Sequence, residues 1–272
     1  MTLLQSIILG IVQGATEFLP ISSSGHVVLV PHLFGWNIPV QDAFIFNIMV
    51  QAATLIAVFS YFWQDISNII SSSWHALVKK QLFSDLDARL GLFIILATIP
   101  AGIVGITLNN FFEQIFANPL FAAIFLLGTA ILLIIAERAG KRDRTLDDIN
   151  WKDVLWIGAF QILALLPGIS RSGATITGGM LKDFDRPAAA RFSFLISIPL
   201  MMAAGAKATY EFIALPNTAA AVPIYLAGCI AAAIVGYLSI KWLMRFLNER
   251  SLYWFAGYCV VFATINLLNI LI

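Results

Sequence analysis

Six runs of about twenty mostly apolar residues, near 42–63, 90–109, 118–136, 187–212, 222–241 and 252–271, limit this chain more than any other feature. Each is long enough to cross a bilayer as a helix. Composition agrees: 60% of the 272 residues are hydrophobic and 11% are charged, against roughly 25% charged in a soluble domain. The chain reads as an all-α polytopic membrane protein. Cys229 and Cys259 lie in apolar runs without a metal-ligand spacing, so they read as small buried hydrophobes. Met1 to Leu19 has no basic leading region, and Gln13 and Glu17 interrupt it, so it is expected to stay in the mature protein.

Two further apolar stretches, 2–19 and 152–166, are shorter and end at Pro20 and Pro167. A Ser/Gly-rich turn follows each, and then a second short apolar stretch, 26–35 and 173–182. Broken helices persist at membrane depth only where protein or a wet cavity covers the freed backbone. Both are therefore expected to be re-entrant helical hairpins. The order becomes hairpin, three spans, hairpin, three spans. This divides the chain into a first repeat (1–136), a cytoplasmic linker (137–151) and a second repeat (152–272), within one membrane domain. The turns echo one another, Leu19-Pro20-Ile21-Ser22-Ser23-Ser24-Gly25 against Leu166-Pro167-Gly168-Ile169-Ser170-Arg171-Ser172-Gly173. Three spans per half invert the second copy, an inverted-topology repeat.

Basic residues set the orientation. Lys79, Lys80, Arg89, Arg138, Lys141, Arg142, Arg144, Lys152, Lys182, Arg186, Arg191, Lys241, Arg245 and Arg250 share one side, while 36–41, 110–117 and 213–221 carry none. The positive-inside rule puts the first group in the cytoplasm. The first hairpin then enters from outside and the second from inside. Lys207 is the exception, and an i,i+4 pair with Glu211 is its expected explanation.

Ionisable groups at membrane depth are costly and read as a site. Gln13 and Glu17, four apart, share one helix face. Their oxygens suit a hard divalent cation, Mg²⁺ or Ca²⁺. Ser22, Ser23 and Ser24 precede a helical stretch and serve as N-caps; the same geometry offers free N–H groups to phosphate. His26 falls in the first turn, close to Glu17 if the hairpin is tight, and suits proton transfer. Arg171 brings a guanidinium fork matched to phosphate oxygens, with Ser170, Ser172 and Thr175 adding hydroxyl donors. An ion pair between Arg171 and Glu17 that joins the halves is the plain alternative, and both roles are compatible.

The segments Gln13-x-x-x-Glu17 with Pro20-Ile21-Ser22-Ser23-Ser24-Gly25-His26, and Pro167-Gly168-Ile169-Ser170-Arg171-Ser172-Gly173-Ala174-Thr175, resemble the signature pair of the bacterial undecaprenyl-diphosphate phosphatases, the bacitracin-resistance family. The resemblance covers essentially the whole chain. It implies a multi-pass hydrolase of the bacterial cytoplasmic membrane that removes the terminal phosphate from undecaprenyl diphosphate on the outer face. That reaction recycles the lipid carrier of cell-wall synthesis. A divalent metal, a homodimer and a polyprenyl diphosphate substrate are implied, and no nucleic acid. By resemblance Gln13 and Glu17 are the metal or catalytic groups and Ser23 the nucleophile or a phosphate ligand. His26 becomes the acid/base, Arg171 the diphosphate clamp, and Ser170 and Thr175 supporting contacts. The family's first motif begins with Glu or Gln, so Gln13 leaves Glu17 as the stronger metal ligand. The attacking group stays open between Ser23 and a metal-bound water.

Two rivals differ in chemistry. A second membrane phosphatase pattern, KxxxxxxRP with SRxxxxxHxxxD, fails because Lys182 stands too close to Arg186-Pro187 and no histidine follows Ser170-Arg171 at the required distance. A lipid-phosphate carrier or flippase uses the same inverted, broken-helix architecture. Phosphate release by purified protein separates hydrolysis from carriage.

Overall fold

A computed structural model describes residues 1–80, 85–116, 118–213 and 218–272. In chain order the helices are α1 (Leu3–Glu17), α2 (Ser23–Leu33), α3 (Val40–Ala53), α4 (Leu55–Tyr61), α5 (Trp63–Val78), α6 (Leu86–Thr107), α7 (Asn109–Phe116), α8 (Pro119–Ala139), α9 (Trp151–Leu163), α10 (Arg171–Met180), α11 (Arg186–Ile213), α12 (Thr218–Glu249) and α13 (Tyr253–Leu271). Among the described residues β-pairing is limited to one isolated bridge, Arg144 with Phe184.

Among the described residues six helical stretches are long and apolar enough to cross a membrane: Asp42–Tyr61, Leu86–Thr107, Pro119–Ala139, Arg186–Tyr210, Ala221–Glu249 and Tyr253–Leu271. They coincide with the six apolar runs. The first bends at Thr54, between α3 and α4, where the Thr54 hydroxyl donates to the Gln51 carbonyl at 2.6 Å. The shorter pieces stop where local chemistry stops them. In α1, Thr2 and Gln5 form a capping box, and in α9, Asn150 and Asp153 do the same. At 15 and 13 residues, α1 and α9 extend only about 20 Å, short of a bilayer core of about 30 Å.

Two helical extents were not foreseen. The amphipathic α5 buries Ile66, Ile69 and Ala76 and exposes Trp63, Ile70, Trp74 and Leu77; its Asn68 and Ser71-Ser72-Ser73 resemble loop composition. The other is α12, which runs to Glu249, two turns past the apolar run. From the end of the run onward, Ile240, Leu243 and Leu247 keep a helical stripe facing the core while Lys241 and Arg245 face out. The expected Lys207–Glu211 pair involves a side chain outside those described.

The packing is reciprocal. Helix α1 lies along α12, and α9 lies along α6; α3 meets α12, and α11 meets α6. Between them, α3 packs on α11 and α8 on α13. Close approach depends on glycine. A Cβ on Gly10 would stand 2.2 Å from the Gly228 carbonyl oxygen, one on Gly14 2.5 Å from that of Ala232, and one on Gly158 2.6 Å from that of Ala97. The 137–151 stretch is knitted into the fold. Glu137 accepts from Arg186 Nε (2.7 Å) and Nη2 (2.6 Å) and from the Leu252 amide (2.7 Å), with Arg142 alongside at 2.9 Å. Arg144 donates to Asp153 (2.6 Å) and to the Lys182 and Asp148 carbonyls, and its guanidinium lies over the Phe184 ring. The Asp153 hydrogen bond holds the Arg144 guanidinium above its ordinary pKa.

These contacts predict opposite responses at two glycines. Gly10→Leu should lower stability by about 1–3 kcal/mol through overpacking. Gly102, where an added Cβ meets nothing within 4 Å, should accept alanine with a gain of about 0.5–1 kcal/mol from helix propensity. Thermal unfolding in detergent reads both, and equal effects would contradict the close α1–α12 contact.

Candidate active site

Pro20 and Pro167 end the preceding helical stretches, and the chain restarts as α2 and α10 on matching serine caps. The Ser22 hydroxyl accepts the Gly25 amide at 3.2 Å, and the Ser170 hydroxyl accepts the Gly173 amide at 3.0 Å. Each cap also meets the serine two residues on, Ser22 with Ser24 at 3.3 Å and Ser170 with Ser172 at 3.1 Å. Ser22 adopts φ +67°, a region sparsely populated by residues other than glycine. Gly168, at φ +99°, has no room for a side chain, since a Cβ would lie 2.2 Å from the Ala122 carbonyl oxygen. Thr129 on α8 ties this turn down; its hydroxyl donates to the Gly168 carbonyl (2.8 Å) and accepts from the Ser170 amide (2.9 Å).

The two tips meet at Glu17. One carboxylate oxygen accepts from the Arg171 guanidinium and, at 3.4 Å, from Gln51. The other accepts from Gln13 at 2.5 Å and from the Ser23 hydroxyl at 2.6 Å. Glu17 is buried at 2% side-chain exposure, and Arg171 keeps only 11% of its side chain exposed. Arg171 spends only Nη2 on Glu17; its Nε and Nη1 are buried without a hydrogen-bond partner among the described residues. Because Ser23 and Arg171 open α2 and α10, two helix N-termini converge here.

A cavity of about 490 Å³ opens over this cluster. Glu17, Ser22, Ser23, Ser24, Ser170 and Arg171 contribute to its polar wall. Ala101, Gly102, Gly105, Leu200, Met201 and Ala203, from α6 and α11, contribute to its apolar wall. Four of the expected site residues are not in that lining. Gln13 sits fully buried behind Glu17. Ser172 donates to the Leu19 carbonyl at 3.1 Å, joining the two tips. Thr175 turns to the Arg171 carbonyl (2.8 Å) and to Ser193 on α11 (2.6 Å).

His26 is the fourth. Its Nδ1 lies 2.8 Å from the Ser22 carbonyl and its Nε2 2.8 Å from the Tyr258 hydroxyl. A carbonyl only accepts, so Nδ1 carries the proton and Nε2 receives the Tyr258 hydroxyl. The ring stacks on Phe262 with centroids 4.4 Å apart. The hydrogen bonds of His26 therefore run to its own cap and to α13, and its ring is buried there at 3% exposure.

Sequence reasoning passed over Asn47 and Gln51 on α3 and Gln161 on α9, which also line the cavity. The signal was present: isolated carboxamides inside apolar runs, with Asn47 and Gln51 spaced as Gln13 and Glu17 are. Thr129 and Tyr258 carried no such mark.

For a metal, the described residues hold no cluster of three or more His, Cys, Asp or Glu. What they do offer is one carboxylate, Glu17, with Gln13 next to it: the Gln13 amide nitrogen faces the carboxylate, and its carbonyl oxygen is buried without a partner among them. That set fits a cation such as Mg²⁺, which uses one or two carboxylates and completes its shell with phosphate oxygens and water.

Thr129→Val keeps the shape and removes both ties to the second tip. Leaving the Gly168 carbonyl and Ser170 amide unsatisfied should cost about 1–3 kcal/mol and reduce turnover, although Thr129 is not in the cavity lining. A thermal melt and an activity assay that both matched the parent protein would contradict this role.

A family profile described as "Bacitracin resistance protein BacA" matches residues 6–265. The undecaprenyl-diphosphatase of Methanosphaera stadtmanae is 42% identical over 275 residues, spanning 98% of this chain and 97% of its own length. That of Moorella thermoacetica is 41% identical over 97% of both chains. That of Myxococcus xanthus is 39% identical, covering 98% of this chain and 89% of the relative. With such a match along nearly its whole length, and with six helices fit to cross a membrane, this chain belongs to the bacitracin resistance protein BacA family.

Proposed function

We propose that this protein hydrolyses undecaprenyl diphosphate to undecaprenyl phosphate and inorganic phosphate at the cavity between the two broken-helix tips. The observation that carries this reading is the buried triad itself: Ser23 donates to Glu17 at 2.6 Å while Arg171 faces the same carboxylate with two donors unused. The names of the relatives support the substrate.

Phosphoryl transfer asks for positioning and charge stabilisation above all. Arg171 turns its free N–H groups to the terminal phosphate, joined by the N-termini of α2 and α10 and by the hydroxyls of Ser22, Ser24 and Ser170. As the guanidinium shifts its charge to the phosphate, Glu17 is left as a stronger acceptor for the Ser23 proton. Ser23 then attacks the terminal phosphorus, the bond to the bridging oxygen breaks, and lipid monophosphate departs. Glu17 and, with its carboxamide turned over, the Gln13 carbonyl would hold a divalent cation, which would supply charge neutralisation at the phosphoryl oxygens. The apolar wall of α6 and α11 leaves a path for the prenyl chain toward lipid.

The same reading gives the site its setting. Helices α1 and α9 are too short to span, which supports re-entrant hairpins. Gly10 and Gly158, Gln13 and Gln161, Ser22 and Ser170, and Gly25 and Gly173 recur at one constant separation along the chain. With the reciprocal packing, this supports an inverted repeat of 1–136 and 152–272. The distribution of basic residues supports an outward-facing site in the bacterial cytoplasmic membrane. The protein acts as a homodimer, as the family resemblance implies.

Arg171→Lys should be nearly as damaging as Arg171→Ala, because lysine keeps the charge and loses the fork. Phosphate release close to the parent rate in the lysine variant would reduce Arg171 to a point charge. Glu17→Gln should abolish turnover while folded protein remains in the membrane; loss of folded protein would make Glu17 structural instead.

A cysteine at Ser24, with Cys229 and Cys259 replaced, should react in intact cells with a membrane-impermeant thiol reagent. One at Arg142 should react only once the membrane is breached. The reverse pattern overturns the orientation, and labelling of Ser24 from both sides favours a carrier.

A further inference from the structure

Gln161 occupies the wall of the active-site cavity and is 0% exposed. Its amide nitrogen donates to the Ala97 carbonyl on α6 at 3.3 Å. A carbonyl can only accept, so this contact fixes which end of the carboxamide is nitrogen. The oxygen, Oε1, is left buried without a hydrogen-bond partner among the described residues. Buried polar atoms are nearly always paired, and each exception calls for a reason. An acceptor here repels phosphate oxygens, so what satisfies it must bring a proton. A water that donates one O–H to Gln161 Oε1 and the other to a phosphate oxygen held by Arg171 would serve both acceptors and keep a lone pair for phosphorus.

We propose that Gln161 positions the water that releases phosphate from the enzyme. The inference rests on the phosphatase reading above. In that step the water oxygen bonds to phosphorus and the bond from phosphorus to Ser23 Oγ breaks, returning its electron pair to the serine. Ser23 regains its proton from Glu17, and both water protons leave with the phosphate as dihydrogen phosphate. An amide is no base at neutral pH, so Gln161 contributes orientation alone. The corresponding Gln13 does not share this role: its oxygen is equally unpartnered, but it lies behind Glu17, outside the cavity lining.

The test compares Gln161→Leu and Gln161→Ala with the parent protein in detergent, using phosphate release, thermal unfolding and partitioning between water and added methanol. Leucine removes a buried unsatisfied acceptor at similar volume. The expected result is a thermal midpoint at or above the parent's, with kcat about tenfold lower, the factor for losing one hydrogen bond of ordinary strength, and KM little changed. The alanine variant should also raise the ratio of methyl phosphate to inorganic phosphate severalfold, because the water loses its acceptor and the alcohol gains room. Parent-like kcat in a folded leucine variant overturns the proposal, as does a rise in KM alone, which would make Gln161 a substrate contact. A fall in thermal midpoint that tracks the fall in activity in both variants also overturns it, by making the role structural. If the parent protein itself releases no phosphate, the phosphatase reading is what has failed.

Discussion

The ion pair between Glu17 and Arg171 is the interaction on which the site depends. Each charge arrives on a different hairpin, more than half the chain apart, and each is removed from water. Burying such ions carries a penalty of several kcal/mol apiece, which mutual attraction repays only when geometry and further hydrogen bonds are good. Glu17 meets that condition, with donors from Gln13, Gln51, Ser23 and Arg171 on its two oxygens. Arg171 does not, since Nε and Nη1 have no partner among the described residues. The pair is therefore saturated on its anionic side and unsaturated on its cationic side, and that imbalance favours an incoming anion.

Keeping the two tips in register is the work of the surrounding helices. The glycine contacts of α1 with α12 and of α9 with α6 bring backbones within a distance no side chain allows. Because each hairpin packs against a helix from the other half, neither half closes its own site. Ser172, bonded to the Leu19 carbonyl, and Thr129, bonded to both sides of the second turn, carry that register to the ion pair. At the linker, Glu137 does the corresponding work by joining α8, Arg186 and the backbone before α13.

Much of this was legible in one dimension, for identifiable reasons. Hydropathy marks a span because lipid exposure demands apolar residues over its whole length. Proline followed by serine marks a broken helix because the ring ends one helix and the hydroxyl caps the next. Helix periodicity places Gln13 and Glu17 on one face, and the structure joins them by a hydrogen bond. Periodicity says nothing of what that face meets. So the sequence could not show that His26 turns to Tyr258, or that Thr175 turns to Ser193. Nor could hydropathy reveal α5 or the last turns of α12, whose polar residues face away from a stripe of buried apolar ones. In both cases the missing information is tertiary.

The recurring residues clarify how two similar helix-opening turns yield an unlike pair of charges. Glycine for close approach, a buried glutamine and a serine cap stand at matching places in both halves. The residues that meet at the ion pair do not: Glu17 corresponds to Leu165, and Ser23 corresponds to Arg171. Two facing carboxylates would repel a diphosphate, and two facing guanidinium groups would repel each other while leaving the serine without an acceptor. Retaining the serine cap on both tips while varying the residue just after the cap gives one tip a hydroxyl and the other a cation. The carboxylate one turn ahead of the first break then serves both. The two tips can share a serine cap because helix termini bind anions through backbone N–H groups whatever the side chain; they differ in the next residue because one brings a hydroxyl to the Glu17 carboxylate and the other brings it a cation.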